Sequence, residues 1–250
     1  TLPANCTLVV AHSLVQAAKS AAARRGYNLR AAECRIAAEL FRRRLSQQLG
    51  REVPERSIGT LRRYLDGMPQ AEGQELIEGA FPGRFTPERL EEEYSLSRDI
   101  LQRKYYLDLD SLAADPDPSC RELKLKARFL HVIGECERVE RLCTEFERGD
   151  TAAAGELMNE SHRSCRDRFE ISCRELDRLT EIERRSGALG ARMTGAGFGG
   201  CTVALVPREI AGAFRERIIE EYYRGELGEQ RHEYGDVVFP VRPAPGAGLL

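Results

Sequence analysis

The sequence predicts an α+β protein in which helices predominate over strands. Long segments carry apolar residues at the three- and four-residue spacing of an amphipathic helix. Three short apolar runs rich in β-branched residues are typical of strands, and they lie at Thr7–Ala11, Thr202–Val206 and Val237–Val241. A strand, a helix and a further strand that follow a helical region favour an α+β sandwich.

The first half of the chain is predicted to be one strand followed by helices. After Thr7–Ala11, the segment from Asn28 to about Gln48 has apolar residues at helical intervals and predicts one long helix. Between Glu52 and Asp117, short helical pieces alternate with glycine and proline. Thr86-Pro87-Glu88 is a good helix start, because threonine caps a helix and proline fits its first turn.

The second half is predicted to hold four more helices and two strands. Residues 122–147 have the pattern of a long helix, and Asp150 is placed to cap the next one. Ser172 and Glu175 have the spacing of a capping box, which predicts that Ser172 caps the following helix. Pro207 is well placed to begin a helix that ends near Tyr223, and the proline at position 240 predicts an edge or terminal strand.

A glycine-rich segment is the most informative part of the chain. Five glycines and one threonine lie between Gly190 and Cys201, after a predicted helix and before a predicted strand. Glycine lets backbone N–H groups turn toward an anion, so a phosphate is one interpretation. The order of helix, loop and strand fits neither the dinucleotide-binding fingerprint nor the P-loop. A tight turn that closes a helix onto a sheet is the other interpretation.

Composition excludes several classes of function. The chain has 250 residues, 42% of them hydrophobic, and 38 basic against 40 acidic residues give a net charge of −2. Such a balance provides no field that would recruit nucleic acid or an anionic membrane, and no apolar run has the length of a membrane span. We expect a cytoplasmic protein.

The eight cysteines are scattered, without the paired short spacings of a zinc ribbon or a secreted disulfide scaffold. Most are therefore expected to be reduced thiols. His162, Cys165 and Cys173 lack a fourth partner, so no metal site is predicted.

The segment Gly-Ala-Arg-Met-Thr-Gly-Ala-Gly-Phe-Gly-Gly-Cys-Thr-Val at positions 190–203 resembles the third signature motif of the galactokinases. These enzymes belong to the superfamily of GHMP kinases, which also phosphorylate homoserine and mevalonate. Residues 157–167 and 172–177 are similar to the helical segment just upstream in that family. Residues 27–34 resemble the segment after its central strand, and residues 128–135 resemble its long helix. The resemblance covers almost the whole chain.

Three other segments of the galactokinases do not occur in these residues: the sugar-gripping Gly-Glu-His-Thr-Asp-Tyr, the phosphate loop Gly-Leu-Ser-Ser-Ser and the Met-Asp-Gln that holds the catalytic aspartate. The resemblance therefore implies the C-terminal half of a galactokinase-like protein, closest to the eukaryotic galactokinases and N-acetylgalactosamine kinases. Residues 1–20 would be the tail of the N-terminal kinase domain, and residues 21–120 a helical region with the family insertion at 51–118. Residues 121–250 would be a ferredoxin-like C-terminal domain.

The function implied by the resemblance is transfer of the γ-phosphoryl group of ATP to the anomeric hydroxyl of galactose, with Mg²⁺. No catalytic residue is predicted in this chain, and we expect it to be inactive without the missing N-terminal kinase domain. An N-acetylgalactosamine kinase and a galactokinase-like sensor or pseudokinase are alternatives. A helical interaction domain with an incidental glycine turn is a further one.

Six candidate site residues follow from the resemblance. Tyr27 matches a tyrosine that contacts sugar hydroxyls, and a tyrosine here favours galactose over N-acetylgalactosamine as the predicted substrate. Gly195 and Ala196 match the part of the third motif that faces the sugar. Thr194 and Gly197 lie in the part that packs against the phosphate loop. Lys19 aligns with a lysine near the nucleotide, although the asparagine that usually precedes it is alanine here.

Overall fold

The computed structural model describes residues 2–16, 21–115, 121–230 and 233–241. The chain forms two compact units, one made of residues 1–18 and 137–250 and the other of residues 19–136. The first strand pairs within the first of these units, and the predicted division of the chain at 20 and 120 stays a prediction. Whether residues 1–20 also end an N-terminal kinase domain stays a prediction.

The described residues form ten α-helices. In chain order they are α1 (Ala21–Leu49), α2 (Ile58–Leu61), α3 (Gln70–Ala80), α4 (Pro87–Tyr94), α5 (Arg98–Arg103), α6 (Leu109–Ala113), α7 (Leu125–Arg148), α8 (Thr151–Ser164), α9 (Arg174–Arg185) and α10 (Ala211–Ile218). Short 3₁₀ turns lie at Arg62–Tyr64 and Arg208–Ile210, and π-helical segments follow α8 at Cys165–Phe169 and α10 at Ile219–Glu226. None of the helices in the described part of the chain is both long and apolar enough to cross a membrane.

The unit of residues 19–136 is helical and has its own apolar core. Phe41 on α1 packs against Phe129 on α7, with the ring centroids 4.4 Å apart, and Phe81 packs against the same Phe129 ring. Beside this core lies a buried ion pair, in which Arg128 Nε is 2.7 Å from Glu33 Oε2 and both side chains are 1% exposed. The backbone N–H of Lys124 also donates to Glu33 Oε1, at 2.8 Å.

The unit of residues 1–18 and 137–250 is built on one antiparallel sheet. Its strands are β1 (Cys6–His12), β2 (Gly190–Met193), β3 (Cys201–Pro207) and β4 (Val238–Val241), in the order β2-β3-β1-β4. Together with the helices between them, this order is the β-α-β-β-α-β arrangement of a ferredoxin-like domain. The α+β fold is confirmed, and β1 is one of its two central strands.

The long helices, three strands and two of the predicted caps are confirmed. Thr86 accepts a hydrogen bond from the Arg89 N–H at the start of α4, and Asp150 accepts one from the Ala153 N–H at the start of α8. Pro240 lies in β4, which is an edge strand of the sheet. This position suits a residue that has no N–H to donate.

Two local predictions are wrong. Residues Gly190–Met193 form strand β2, although the glycine-rich segment was predicted to be a loop from its first residue. Ser172 does not cap α9, because the helix begins one residue later, after Cys173. The Ser172 hydroxyl instead donates to Asp177 Oδ1, at 2.6 Å.

Candidate functional site

The candidate site is the glycine loop, residues Thr194–Gly200, which joins β2 to β3. Thr194, Gly195 and Ala196 at its start are exposed. Every glycine of the loop has a positive φ, between +82° at Gly195 and +129° at Gly199. Side chains are strained in this region of backbone space, so the loop geometry depends on glycine.

The second half of the loop is fixed to neighbouring backbone. Phe198 N–H donates to the Ile171 carbonyl at 2.7 Å, and Gly200 N–H donates to the Val15 carbonyl at 2.9 Å. Both the N–H and the hydroxyl of Ser13 donate to the Gly200 carbonyl, at 2.8 Å each. A Cβ on Gly197 would lie 2.2 Å from the Ile171 carbonyl oxygen, so this approach requires glycine.

The first half of the loop keeps backbone donors open. Among the described residues, the N–H groups of Gly195 and Ala196 have no hydrogen-bond partner, and nothing lies within 4 Å of the Cβ position of Gly195. Successive N–H groups in a turn of this kind form a concavity that suits anionic oxygen. The loop therefore combines an anchored side with an open side that can bind an anion.

Helix α8 covers the outer edge of β2, the strand that leads into the loop. Asn159 Oδ1 accepts a hydrogen bond from the Ala191 N–H at 2.9 Å, and His162 Nδ1 accepts one from the Met193 N–H at 3.2 Å. Two N–H groups of an edge strand are thereby satisfied by side chains. Gly155 and Gly190 bring the two backbones together, since a Cβ on Gly190 would lie 2.0 Å from the Gly155 carbonyl oxygen.

His162 is a buried, neutral histidine. Its Nε2 lies 3.1 Å from Asp177 Oδ1 and 3.0 Å from Thr180 Oγ1, and the side chain is 1% exposed. Burial lowers the pKa of His162 to about 4, outweighing the opposite effect of the Asp177 carboxylate. Because Nδ1 accepts from Met193, the single proton of the neutral ring is on Nε2.

Glu183 on α9 is a fully buried carboxyl group next to the end of the loop. Its Oε1 lies 2.6 Å from Thr202 Oγ1, which is also 3.3 Å from the Ala11 carbonyl oxygen. Among the described residues, its Oε2 has no hydrogen-bond partner. Burial raises the pKa of Glu183 to about 8, so the group is protonated at neutral pH. A protonated Glu183 can donate a hydrogen bond to Thr202 Oγ1. The threonine hydroxyl can then donate its own proton to the Ala11 carbonyl oxygen.

Glu183→Gln is expected to remove a pH dependence from the stability of the fold. The folded pKa of about 8 lies above the ordinary value of 4.5, so the native carboxyl group costs progressively more free energy as pH rises from 4.5 to 8. Relative to the variant, the wild type should lose about 1 kcal/mol of unfolding free energy between about pH 6 and pH 7. Urea denaturation at several pH values checks this, and parallel stability curves for the two proteins would contradict it.

The structure places four of the six predicted site residues together, because Thr194, Gly195, Ala196 and Gly197 follow one another in the glycine loop. Tyr27 lies on α1, in the unit of residues 19–136, and its side chain is 55% exposed. Lys19 lies outside the described residues.

Sequence reasoning missed the two residues of α8 that hold β2. Asn159 and His162 are three apart, which places them on one face of a helix. That spacing was a usable signal for a shared partner, but the sequence does not show which strand edge they face. Glu183 was missed because a glutamate in an amphipathic helix ordinarily points to solvent.

Metal-ligating side chains are not clustered in the part of the chain that the structure describes. No group of three or more histidine, cysteine, aspartate or glutamate side chains there could hold a metal ion. We therefore assign no metal ligand to any described side chain.

Comparison with known proteins shows which family model this site matches. Residues 142–224, which include α8, α9, β2, the glycine loop and β3, match the family model described as GHMP kinases C terminal. This part of the chain is similar to the C-terminal domain of the GHMP kinases. The resemblance of its sequence to the galactokinases is confirmed, and the chain corresponds to their C-terminal half.

Three relatives show how far the similarity of this chain extends. A galactokinase of Dictyostelium discoideum is 32% identical over 278 residues, covering 100% of this chain and 52% of the relative. A human galactokinase is 45% identical over 120 residues, covering 48% of this chain and 30% of the relative. The crystal structure of Lactococcus lactis galactokinase complexed with galactose matches with a TM-score of 0.56 and 25% identity, over 95% of this chain and 44% of that chain. The chain thus spans about half the length of these relatives or less.

Proposed function

We propose that this chain is the C-terminal portion of a galactokinase, which transfers the γ-phosphoryl group of ATP to the anomeric hydroxyl of galactose. The observation that carries the proposal is the glycine loop, with its anchored second half and the open N–H groups of Gly195 and Ala196. The names of the relatives support galactose as the substrate, since one of them was solved in complex with that sugar.

Each predicted site residue has a role in this proposal. Gly195 and Ala196 face the sugar and the transferred phosphoryl group, whose negative charge the N–H dipoles stabilise. Thr194 and Gly197 support the loop that binds the nucleotide phosphates. The exposed phenol of Tyr27 both donates to and accepts from a sugar hydroxyl. Lys19 contacts the nucleotide.

The remaining chemistry is proposed to come from the N-terminal kinase domain. ATP brings the phosphates that Mg²⁺ binds, and Mg²⁺ neutralises charge on the transferred group when it is bound. Because the catalytic-aspartate segment and the phosphate loop of the galactokinases do not occur in this sequence, we expect the chain alone to be inactive. The complete enzyme is proposed to work in the cytoplasm.

A chimera tests this proposal. The chain replaces the aligned segment of the Dictyostelium discoideum galactokinase, about 52% of that relative, and the chimera keeps the relative's own N-terminal part. We expect the chimera to phosphorylate galactose with ATP, and ³¹P NMR to identify the product as the anomeric phosphate. The 250-residue chain alone should give no turnover.

The same assay separates the alternatives. Turnover with N-acetylgalactosamine in place of galactose would assign the chain to an N-acetylgalactosamine kinase. A folded chimera that binds galactose and ATP without turnover would favour a sensor or pseudokinase. Turnover by the chain alone would contradict its proposed dependence on an N-terminal domain.

A further inference from the structure

We propose that His162 is a positioning residue for the glycine loop, holding the Met193 N–H with Nδ1 while it donates Nε2–H to Asp177 and Thr180. The inference rests on the proposed function in one respect, since that function makes the loop a wall of the sugar-phosphorylating site. His162 touches no substrate in this proposal. It acts through the backbone that carries Gly195 and Ala196.

The position of Met193 allows its contact with His162 to determine where the glycine loop begins. Met193 is the last residue of β2, and Thr194 begins the loop directly after it. On its inner side, β2 pairs with β3, where Met193 is opposite Thr202. On the outer side of β2, the Met193 N–H donates a hydrogen bond only to His162 among the described residues. The histidine therefore fixes the point at which the backbone leaves the sheet.

A second path links His162 to the middle of the loop. The Asp177 oxygen that receives Nε2–H also accepts the Ser172 hydroxyl, at 2.6 Å. The residue before Ser172 is Ile171, whose carbonyl accepts the Phe198 N–H at 2.7 Å. One imidazole ring thus connects, through hydrogen bonds and one short backbone step, to both the start and the anchored half of the loop.

Only a neutral ring with its proton on Nε2 can make both sets of contacts, since a doubly protonated ring has no acceptor for the Met193 N–H. The groups that face the ring are Asp177 and Thr180 from α9 and the Met193 backbone from β2. The positive charges of Arg166 and Arg184 oppose ring protonation, in the same direction as burial. The neighbourhood therefore maintains the one state that positions the loop.

NMR on the ¹⁵N-labelled 250-residue chain tests the proposal without any need for turnover. Ring ¹⁵N shifts are expected to show a bare Nδ1 and a protonated Nε2. When pH is lowered through the ring pKa of about 4, the Met193 and loop N–H signals should shift with the same midpoint as the ring. The Leu189 N–H, just before β2, is the internal control, because its partner is the backbone carbonyl of Leu205, which does not titrate.

Two variants separate the contacts of the ring. In His162→Asn the amide oxygen branches from Cγ as Nδ1 does, so the acceptor for Met193 is kept. In His162→Gln the amide nitrogen reaches the Nε2 position, so the donor to Asp177 is kept and the Met193 acceptor is lost. We expect the signals of residues 194–200 to shift at least twofold more in His162→Gln than in His162→Asn.

Two results would overturn the proposal: loop signals in the wild type that do not follow the ring titration, or loop signals equally displaced in both variants. The wild-type titration remains decisive if either variant fails to fold. Inactivity of the galactokinase chimera would remove the proposed function but would not alter these NMR results. The two failures are therefore distinguishable.

Discussion

Gly190→Ala is expected to destabilise the unit of residues 1–18 and 137–250 by at least about 3 kcal/mol. The new Cβ would lie 2.0 Å from the carbonyl oxygen of Gly155 and 2.6 Å from its Cα. Both contacts are with backbone, so no side-chain rotation can relieve them. Helix α8 would have to move away from β2, and its contacts to Ala191 and Met193 would lengthen.

Thermal and urea denaturation of the purified variant measure this effect. Gly212→Ala in α10 is the matched control, since nothing lies within 4 Å of its Cβ position and its residue is exposed. The control should be neutral or slightly stabilising, because alanine is the better helix former. Equal stability of Gly190→Ala and the wild type would contradict the described packing of α8 against β2.

Arg128→Met is expected to destabilise the unit of residues 19–136 by about 3–5 kcal/mol, because it leaves the Glu33 carboxylate buried without its cation. The wild-type pair is 2.7 Å apart, with each side chain 1% exposed. The double variant Glu33→Gln with Arg128→Met should regain part of that loss, since no uncompensated charge then remains. Urea denaturation of the single and double variants provides the measurement.

An exposed ion pair gives the control for that experiment. Arg103 and Asp99 are 2.7 Å apart, but their side chains are 82% and 65% exposed. Arg103→Met should therefore change the free energy of unfolding by less than about 1 kcal/mol. If Arg128→Met were as mild as this control, the buried pair would not hold the helical unit together.

The elements that depend on local chemistry could be predicted from the sequence. Thr86 and Asp150 cap α4 and α8 because their side-chain oxygens reach the N–H groups three residues later. The apolar run at Thr202–Val206 lies within β3 because its β-branched residues suit a buried strand. The glycine loop was found in the same way, from residues that favour positive φ.

The features that depend on distant partners could not be predicted. β1 pairs with β3 along the register Cys6 with Pro207, a separation of about 200 residues in the chain that no local pattern encodes. Gly190 was assigned to the loop because it is the first glycine of the glycine-rich segment. In the fold it is a strand residue, and glycine is needed there because the backbone of Gly155 approaches so closely.

In the candidate site, too, local features could be predicted and features that depend on distant partners could not. The exposed start of the loop was predicted, whereas the support beneath it was not. His162 and Asp177 are 15 positions apart in sequence and meet only when α8 and α9 pack together. Buried polar groups of this kind are specified by tertiary packing, and their pKa values follow from burial that a sequence does not display.

Amide hydrogen exchange at Gly195 and Ala196 in the active galactokinase chimera tests the central claim most directly. The exchange is measured by mass spectrometry of the peptide that spans residues 194–200, with and without galactose plus a non-hydrolysable ATP analogue. We predict that the ligands slow exchange at these two open N–H groups and leave the peptide around Gly212 unchanged. Unaltered exchange of the loop in a chimera that phosphorylates galactose would show that the glycine loop does not line the site.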